Sequence, residues 1–181
     1  MSFARVCLYA GSNPGADVRY SEAAADLVGV LVGQGIGIVY GGGNVGLMGV
    51  LADKALGLDG EVIGVIPRSL VDRELAHQNL SELRIVGSMH ERKATMAELS
   101  DAFVALPGGI GTVEEIVEVL TWTQLRFHRK PCALLNVAGY YDHLMAFLDH
   151  AVEQRFLSRE TRALLVVDDD PEALLARLSA V

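Results

Sequence analysis

The chain has 181 residues, enough for one domain with its own core and short for two. Hydrophobic residues make up 51% and aromatics only 6%, so the core must be mostly Val, Leu, Ile and Ala, as in strands buried on both faces by helices. The formal net charge of −8 argues against a broad nucleic-acid or anionic-membrane surface, so any anion site has to be a local cluster of donors.

In chain order, the N-terminus carries one Arg and leads directly into a strand-like run at 6–10. No apolar run reaches the roughly 18 residues of a membrane span, and no small-residue cleavage site follows the start, so the expected compartment is the cytoplasm. A helical pattern at 17–33 precedes a strand at 36–40, and a second at 45–57 precedes a strand at 62–66. Residues 68–81 read as a loop with a short helical piece around 73–77. Strands at 83–86, 102–106, 132–137 and 164–167 then alternate with helices at 89–99, 113–126, 140–155 and 171–179. Repeated β-then-α order means right-handed crossovers, hence a Rossmann-like, doubly wound parallel sheet of six or seven strands in a single domain, 1–181. Cys7 and Cys132 lie inside apolar runs and read as buried small hydrophobes. The five histidines form no metal-binding spacing, so no metal is expected.

Strands end in glycine or proline at Gly11, Gly41, Pro67, Gly87 and Pro107. These are all carboxyl ends, the side on which open α/β sheets bind ligands. Glycine is common in βα turns, but three glycine-rich turns on one edge point to a phosphate-bearing small molecule. Gly41, Gly43 and Gly46 have the spacing GxGxxG. The expected ribose-binding acid is missing, because the next strand ends Ile66-Pro67-Arg68, and no Walker lysine follows. A monophosphate cradle fits better than a pyrophosphate one.

In the turn Pro107-Gly108-Gly109-Ile110-Gly111-Thr112, Thr112 reads as a helix N-cap and Glu115 as its capping-box partner. Ser88 and Glu91 form a second such box. Arg92 and Lys93 then fall in the first turns of a helix, where cations oppose the dipole at a typical cost of about 0.3–1 kcal/mol each. A bound anion would remove that cost.

Met89-His90-Glu91-Arg92-Lys93, followed by Pro107-Gly108-Gly109-Ile110-Gly111-Thr112-x-x-Glu115, resembles the paired signature of the Lonely Guy (LOG) family. The agreement runs from Ala10-Gly11-Ser12 through the loop at 41–49 to Lys130-Pro131 and Gly139-Tyr140-Tyr141-Asp142. Gly11-Ser12-Asn13 departs from the family pattern, where many members have a second Ser or Ala. The resemblance implies a cytokinin riboside 5'-monophosphate phosphoribohydrolase that splits the N-glycosidic bond to release free base and ribose 5-phosphate, with AMP also accepted. It implies a homodimer with the pocket near the subunit interface; separately, no metal, pyridoxal or nicotinamide cofactor is expected. It also implies substrate contacts at Glu74, Arg92, Lys93, Gly109, Ile110, Gly111, Thr112, Val113, Glu114, Glu115 and Thr121. Arg92 and Glu115 match the catalytic pair.

The expected mechanism passes through an oxocarbenium-like sugar, with Glu115 stabilising the cation or orienting water. Backbone amides of Gly43 to Gly46 and of Gly111-Thr112 would hold the 5'-phosphate, Glu74 would close over the sugar, and Arg92 would position ribose or assist the base. One alternative is a non-catalytic nucleotide- or cofactor-binding protein, which would not need Arg92 and Glu115 together. Another is a decarboxylase, which would need its Schiff base from Lys54, Lys93 or Lys130. For the dimer, the helix with Ile116, Val119, Leu120 and Trp122 is a candidate interface or an ordinary core helix.

Overall fold

The computed structural model describes residues 3–71 and 76–180. Seven strands form one fully parallel sheet: β1 (Arg5–Tyr9), β2 (Gly37–Tyr40), β3 (Val62–Pro67), β4 (Glu82–Val86), β5 (Ala102–Ala105), β6 (Cys132–Leu135) and β7 (Leu165–Asp168). Their order across the sheet is β4-β3-β2-β1-β5-β6-β7. Each strand coincides with an expected apolar run to within a residue or two. Central strands are buried on both faces, so side chains alternate between two apolar layers. Val6 and Leu8 of β1 point into one layer, and Cys7 and Tyr9 into the other.

The first layer is covered by α1 (Val18–Gly33), α2 (Gly46–Leu56) and α7 (Pro171–Ser179). In α1 the buried residues are Ala24, Leu27, Val28 and Leu31, the stripe of an amphipathic helix. The second layer is covered by α3 (Met89–Leu99), α4 (Ile110–Gln124) and α5 (Asp142–Glu153). Helix α6 (Arg159–Ala163), capped by the Ser158 side chain, is a short addition that periodicity does not announce. The region expected as loop opens with a 3-10 turn at Arg68–Leu70, and Ala76 makes a bridge to Gly43. The helical piece expected around 73–77 falls mainly outside the described residues.

Because all strands run parallel, the turns at Gly11, Gly43, Gly87 and Gly109 share one edge, as expected. The chain builds outward from β1 on one side as far as β4, then returns to place β5 on the other side of β1. That reversal separates the β1 and β5 turns at their carboxyl ends and opens a crevice there. The turns interlock at its base. The Gly11 N–H donates to Pro107 O at 3.1 Å, and Leu47 N–H donates to Gly11 O at 3.0 Å. Gly46 has φ +56, and a Cβ there would lie 2.3 Å from the Ser12 carbonyl carbon, so only glycine fits. No described helix is long and apolar enough to cross a membrane.

Candidate active site

The turns after β1, β2 and β5 and the N-terminal parts of α3 and α4 surround a cleft of about 310 Å³. Ser12, Arg92, Thr112, Glu114 and Glu115 provide its polar wall. Leu8, Met48, Leu70, Met89, Met96 and Ile110 provide an apolar wall that is rich in methionine and suited to a flat ring.

Helix α3 begins as the sequence suggests. Ser88 Oγ accepts from the Glu91 N–H at 3.1 Å, and Glu91 reaches back to the Gly87 N–H at 2.7 Å. This capping box fixes the helix start and directs Arg92 inward. Arg92 is only 5% exposed. Its Nη2 donates to Gly41 O at 2.7 Å and its Nε to Val65 O at 3.0 Å. The guanidinium is therefore oriented by carbonyls at the ends of two strands, which offset the unfavourable dipole without any ligand. A Cβ on Gly41 would come within 2.2 Å of Arg92 Nη2 and would displace the guanidinium from this position.

Lys93 turns the other way and does not line the cleft. Its ammonium donates to Glu114 at 2.5 Å and to Glu118 at 3.0 Å, clamping α3 to α4. Burial works to lower its pKa, but the bonds to the two carboxylates outweigh it and the net shift is upward. The expectation of an Arg92/Lys93 anion cluster thus resolves into one cleft cation and one interhelical clamp.

Helix α4 begins earlier than the sequence suggests. Its N-cap is Gly109 rather than Thr112, so Glu115 lies beyond the first turn and outside the capping-box position. Thr112 is buried inside the first turn, with its side chain directly against Gly108. The first backbone bond of the helix runs from Val113 N–H to Gly109 O at 3.2 Å. The N–H groups of Ile110, Gly111 and Thr112 therefore have no acceptor within the helix and lie at the positive end of its dipole, where the three residues line the cleft. Nothing lies within 4 Å of a Cβ built on Gly109 or Gly111, so these glycines leave the approach open.

Gly109, Ile110, Gly111, Thr112, Glu114, Glu115 and Arg92 meet around this cleft. Gly43 and Gly46 do not: Gly43 is buried and bridged to Ala76, and Gly46 is packed on the first loop. Of the GxGxxG glycines, Gly41 lines the cleft, whereas Gly43 and Gly46 serve the interlocking of turns. Val113 packs toward the second apolar layer, and Thr121 lies about three turns along α4, exposed, with its hydroxyl donating to Val117 O at 2.7 Å. Glu74 lies outside the described residues.

Sequence reading missed Tyr9, Met48 and Met96 as cleft residues. Tyr9 carried a usable signal, since it is the last residue of β1 on the α3/α4 side. Burial raises its phenol well above the ordinary value, with Cys7 and Glu115 adding to the shift. Among the described residues, no cluster of His, Cys, Asp or Glu could hold a metal ion.

A family model described as "Possible lysine decarboxylase" matches residues 48–178. No lysine of this chain lines the cleft. Lys93 is clamped as above, Lys54 is exposed on α2, and Lys130 Nζ donates to Ala97 O at 2.6 Å. The amine needed for Schiff-base decarboxylation is therefore lacking there. Among solved structures, the molybdenum cofactor binding protein of Rippkaea orientalis superposes with TM-score 0.73 at 21% identity, covering 99% of this chain and 98% of that one. The molybdenum cofactor carrier protein of Chlamydomonas reinhardtii gives 0.70 at 20%, covering 98% of both chains. At those identities the likeness is one of fold. Sequence relatives are far nearer. The probable cytokinin riboside 5'-monophosphate phosphoribohydrolase LOGL5 of Oryza sativa subsp. japonica is 52% identical over 97% of this chain and 72% of its own length. The cytokinin riboside 5'-monophosphate phosphoribohydrolase LOG1 of Arabidopsis thaliana is 47% identical over 97% and 83%. With such identity along nearly its whole length, this chain belongs to the Lonely Guy family of cytokinin riboside 5'-monophosphate phosphoribohydrolases.

Proposed function

We propose that this chain hydrolyses the N-glycosidic bond of adenosine 5'-monophosphates, both those with cytokinin-type N6 substituents and AMP, releasing free base and ribose 5-phosphate. The observation that carries this reading is one cleft lined by an unpaired helix N-terminus, an oriented guanidinium and a carboxylate. A phosphate sits on the first-turn amides of α4, so the ribose extends toward Arg92 and Glu115 and the base toward the methionine wall. As the C1'–N bond breaks, its electron pair leaves with the base, which takes up a proton. Water supplies the new C1'–O bond and releases a proton. Glu115 stabilises the oxocarbenium-like sugar and orients that water. Arg92, its guanidinium oriented by the Gly41 and Val65 carbonyls, works as a fixed hydrogen-bond donor to ribose or base. Binding the remote phosphate fixes the ribose for reaction. Each step uses only water and this chain's residues, without a cofactor.

The working unit in this reading is a homodimer. Ile110 (91% exposed) at the start of α4, Val117 on it, and Leu125 and Phe127 (76%) past its end leave exposed apolar side chains along the helix, from the cleft to its far end. Ile116 and Val119 face the core, so they do not contribute to it. Light scattering is expected to give twice the 19.4 kDa chain mass, and a monomer mass at micromolar concentration would refute the dimer. The two buried, unpaired thiols suit a reducing compartment such as the cytoplasm.

The test is incubation with AMP, N6-prenylated AMP and adenosine, assaying free base and sugar. Both monophosphates are expected to yield base and ribose 5-phosphate, with adenosine turned over far more slowly. No base released from either monophosphate would overturn the reading.

A further inference from the structure

We infer that Tyr140 and Tyr141 are positioning residues that hold the turn between β5 and α4 with its carbonyls averted and its amides facing the cleft. Every carbonyl of that turn has a partner. Leu106 O accepts from Tyr141 Oη at 2.5 Å, and Gly108 O accepts from Tyr140 Oη. Pro107 O accepts from Gly11 N–H at 3.1 Å, and Gly109 O from Val113 N–H at 3.2 Å. A carbonyl swung toward the cleft would repel an anion at the place where the first-turn amides attract it. The two phenols supply half of the bonds that prevent this.

The tyrosines are themselves held by an unusual turn. Asn136 Oδ1 accepts from the Tyr141 N–H at 2.7 Å, while its amide donates to Asp142 at 2.8 Å. Ala138 and Gly139 both adopt left-handed backbone, with φ 53 and 74. A left-handed alanine is uncommon and persists where surrounding contacts demand it. Here the conformation delivers two consecutive side chains to one turn. The Tyr140 ring meets Tyr141 edge-on at 5.0 Å and Tyr20 at 5.6 Å, so its hydroxyl has a fixed approach. Ring packing alone would be served equally by phenylalanine, whereas the hydroxyl bonds would not.

This inference rests on the reading that the α4 turn receives the phosphate. The test is binding calorimetry, independent of turnover, with ribose 5-phosphate and adenosine as separate probes. Tyr140→Phe keeps the ring at a 40% exposed position and should fold as wild type. It is expected to weaken ribose 5-phosphate about 5–10-fold, the size of one hydrogen bond's influence, and adenosine less than about 2-fold. Tyr141→Phe removes a buried hydroxyl and should show the same phosphate-selective loss together with a lower melting temperature. Unchanged ribose 5-phosphate affinity in both variants, or equal losses for the two probes, would overturn the positioning role. A wild-type protein that binds ribose 5-phosphate but releases no base from AMP would defeat the hydrolase reading and leave this test readable. One that does not bind ribose 5-phosphate would defeat both.

Discussion

Glu115→Gln is expected to give a folded protein that binds ribose 5-phosphate normally and turns over AMP at least about 100-fold more slowly. The carboxylate lines the cleft six residues past the N-cap of α4, Gly109, outside the capping-box position. Gln has the same shape, and a partly exposed exchange of this kind typically changes stability by less than about 0.5 kcal/mol. The exchange removes the negative charge facing the developing sugar cation. Comparable electrostatic contributions in active sites are worth about 3–4 kcal/mol, or roughly 10²–10³ in rate. Phosphate affinity should hold, because the helix amides that bind it are untouched. Steady-state release of adenine, beside a thermal melt and a ribose 5-phosphate titration, separates these effects. Near-normal hydrolysis by the Gln variant would remove Glu115 from the chemistry.

Gly111→Asp probes the other half of the site and should have an effect as large on binding. A Cβ at this position meets nothing within 4 Å, so the side chain enters without a clash. Aspartate in the first turn of a helix also favours its dipole by about 0.3–1 kcal/mol, so the variant should be no less stable than wild type. Its charge nevertheless competes for the amides that receive the phosphate. Two unit charges at about 4 Å repel by about 4 kcal/mol at an effective dielectric of 20, and exposure to solvent reduces this. A remaining penalty of about 2.7 kcal/mol corresponds to a 100-fold loss of ribose 5-phosphate affinity. Adenosine, which carries no phosphate, should bind within about threefold of wild type. Gly111→Ala is the control: it adds bulk without charge and should retain most phosphate affinity. Equal losses with Ala and Asp would mean that crowding decides the outcome, and retained affinity with Asp would move the phosphate off this helix.

The two variants also separate the parts of the proposed mechanism. Loss of turnover with phosphate binding intact belongs to Glu115, and loss of phosphate binding with nucleoside binding intact belongs to the turn.

Local patterns in the sequence determined the sheet and its edge. Seven short apolar runs alternate with helical stretches, and a parallel sheet is what right-handed crossovers make of that order. The Ser88–Glu91 box was equally legible, because both of its bonds lie within four residues. Arg92 and Glu115 could be singled out as a pair through their motif, and the tertiary structure gathered them at one cleft. Other features depended on partners remote in sequence. Thr112 has the residue type and spacing of an N-cap, yet the N-cap is Gly109, three residues before it. The β5 turn is held by Gly11, Tyr140 and Tyr141, and those distant bonds decide where the backbone starts to coil. Lys93 looked like a ligand for an anion until α4 brought Glu114 and Glu118 against it from 21 and 25 residues away. The glycines at 41, 43 and 46 read as a phosphate loop, but the packing of neighbouring turns claims the space at Gly43 and Gly46, and the Arg92 side chain claims it at Gly41. Periodicity and capping are encoded by neighbours in the chain. Which buried donor meets which acceptor is set by how helices dock on the sheet, and no local pattern contains that information.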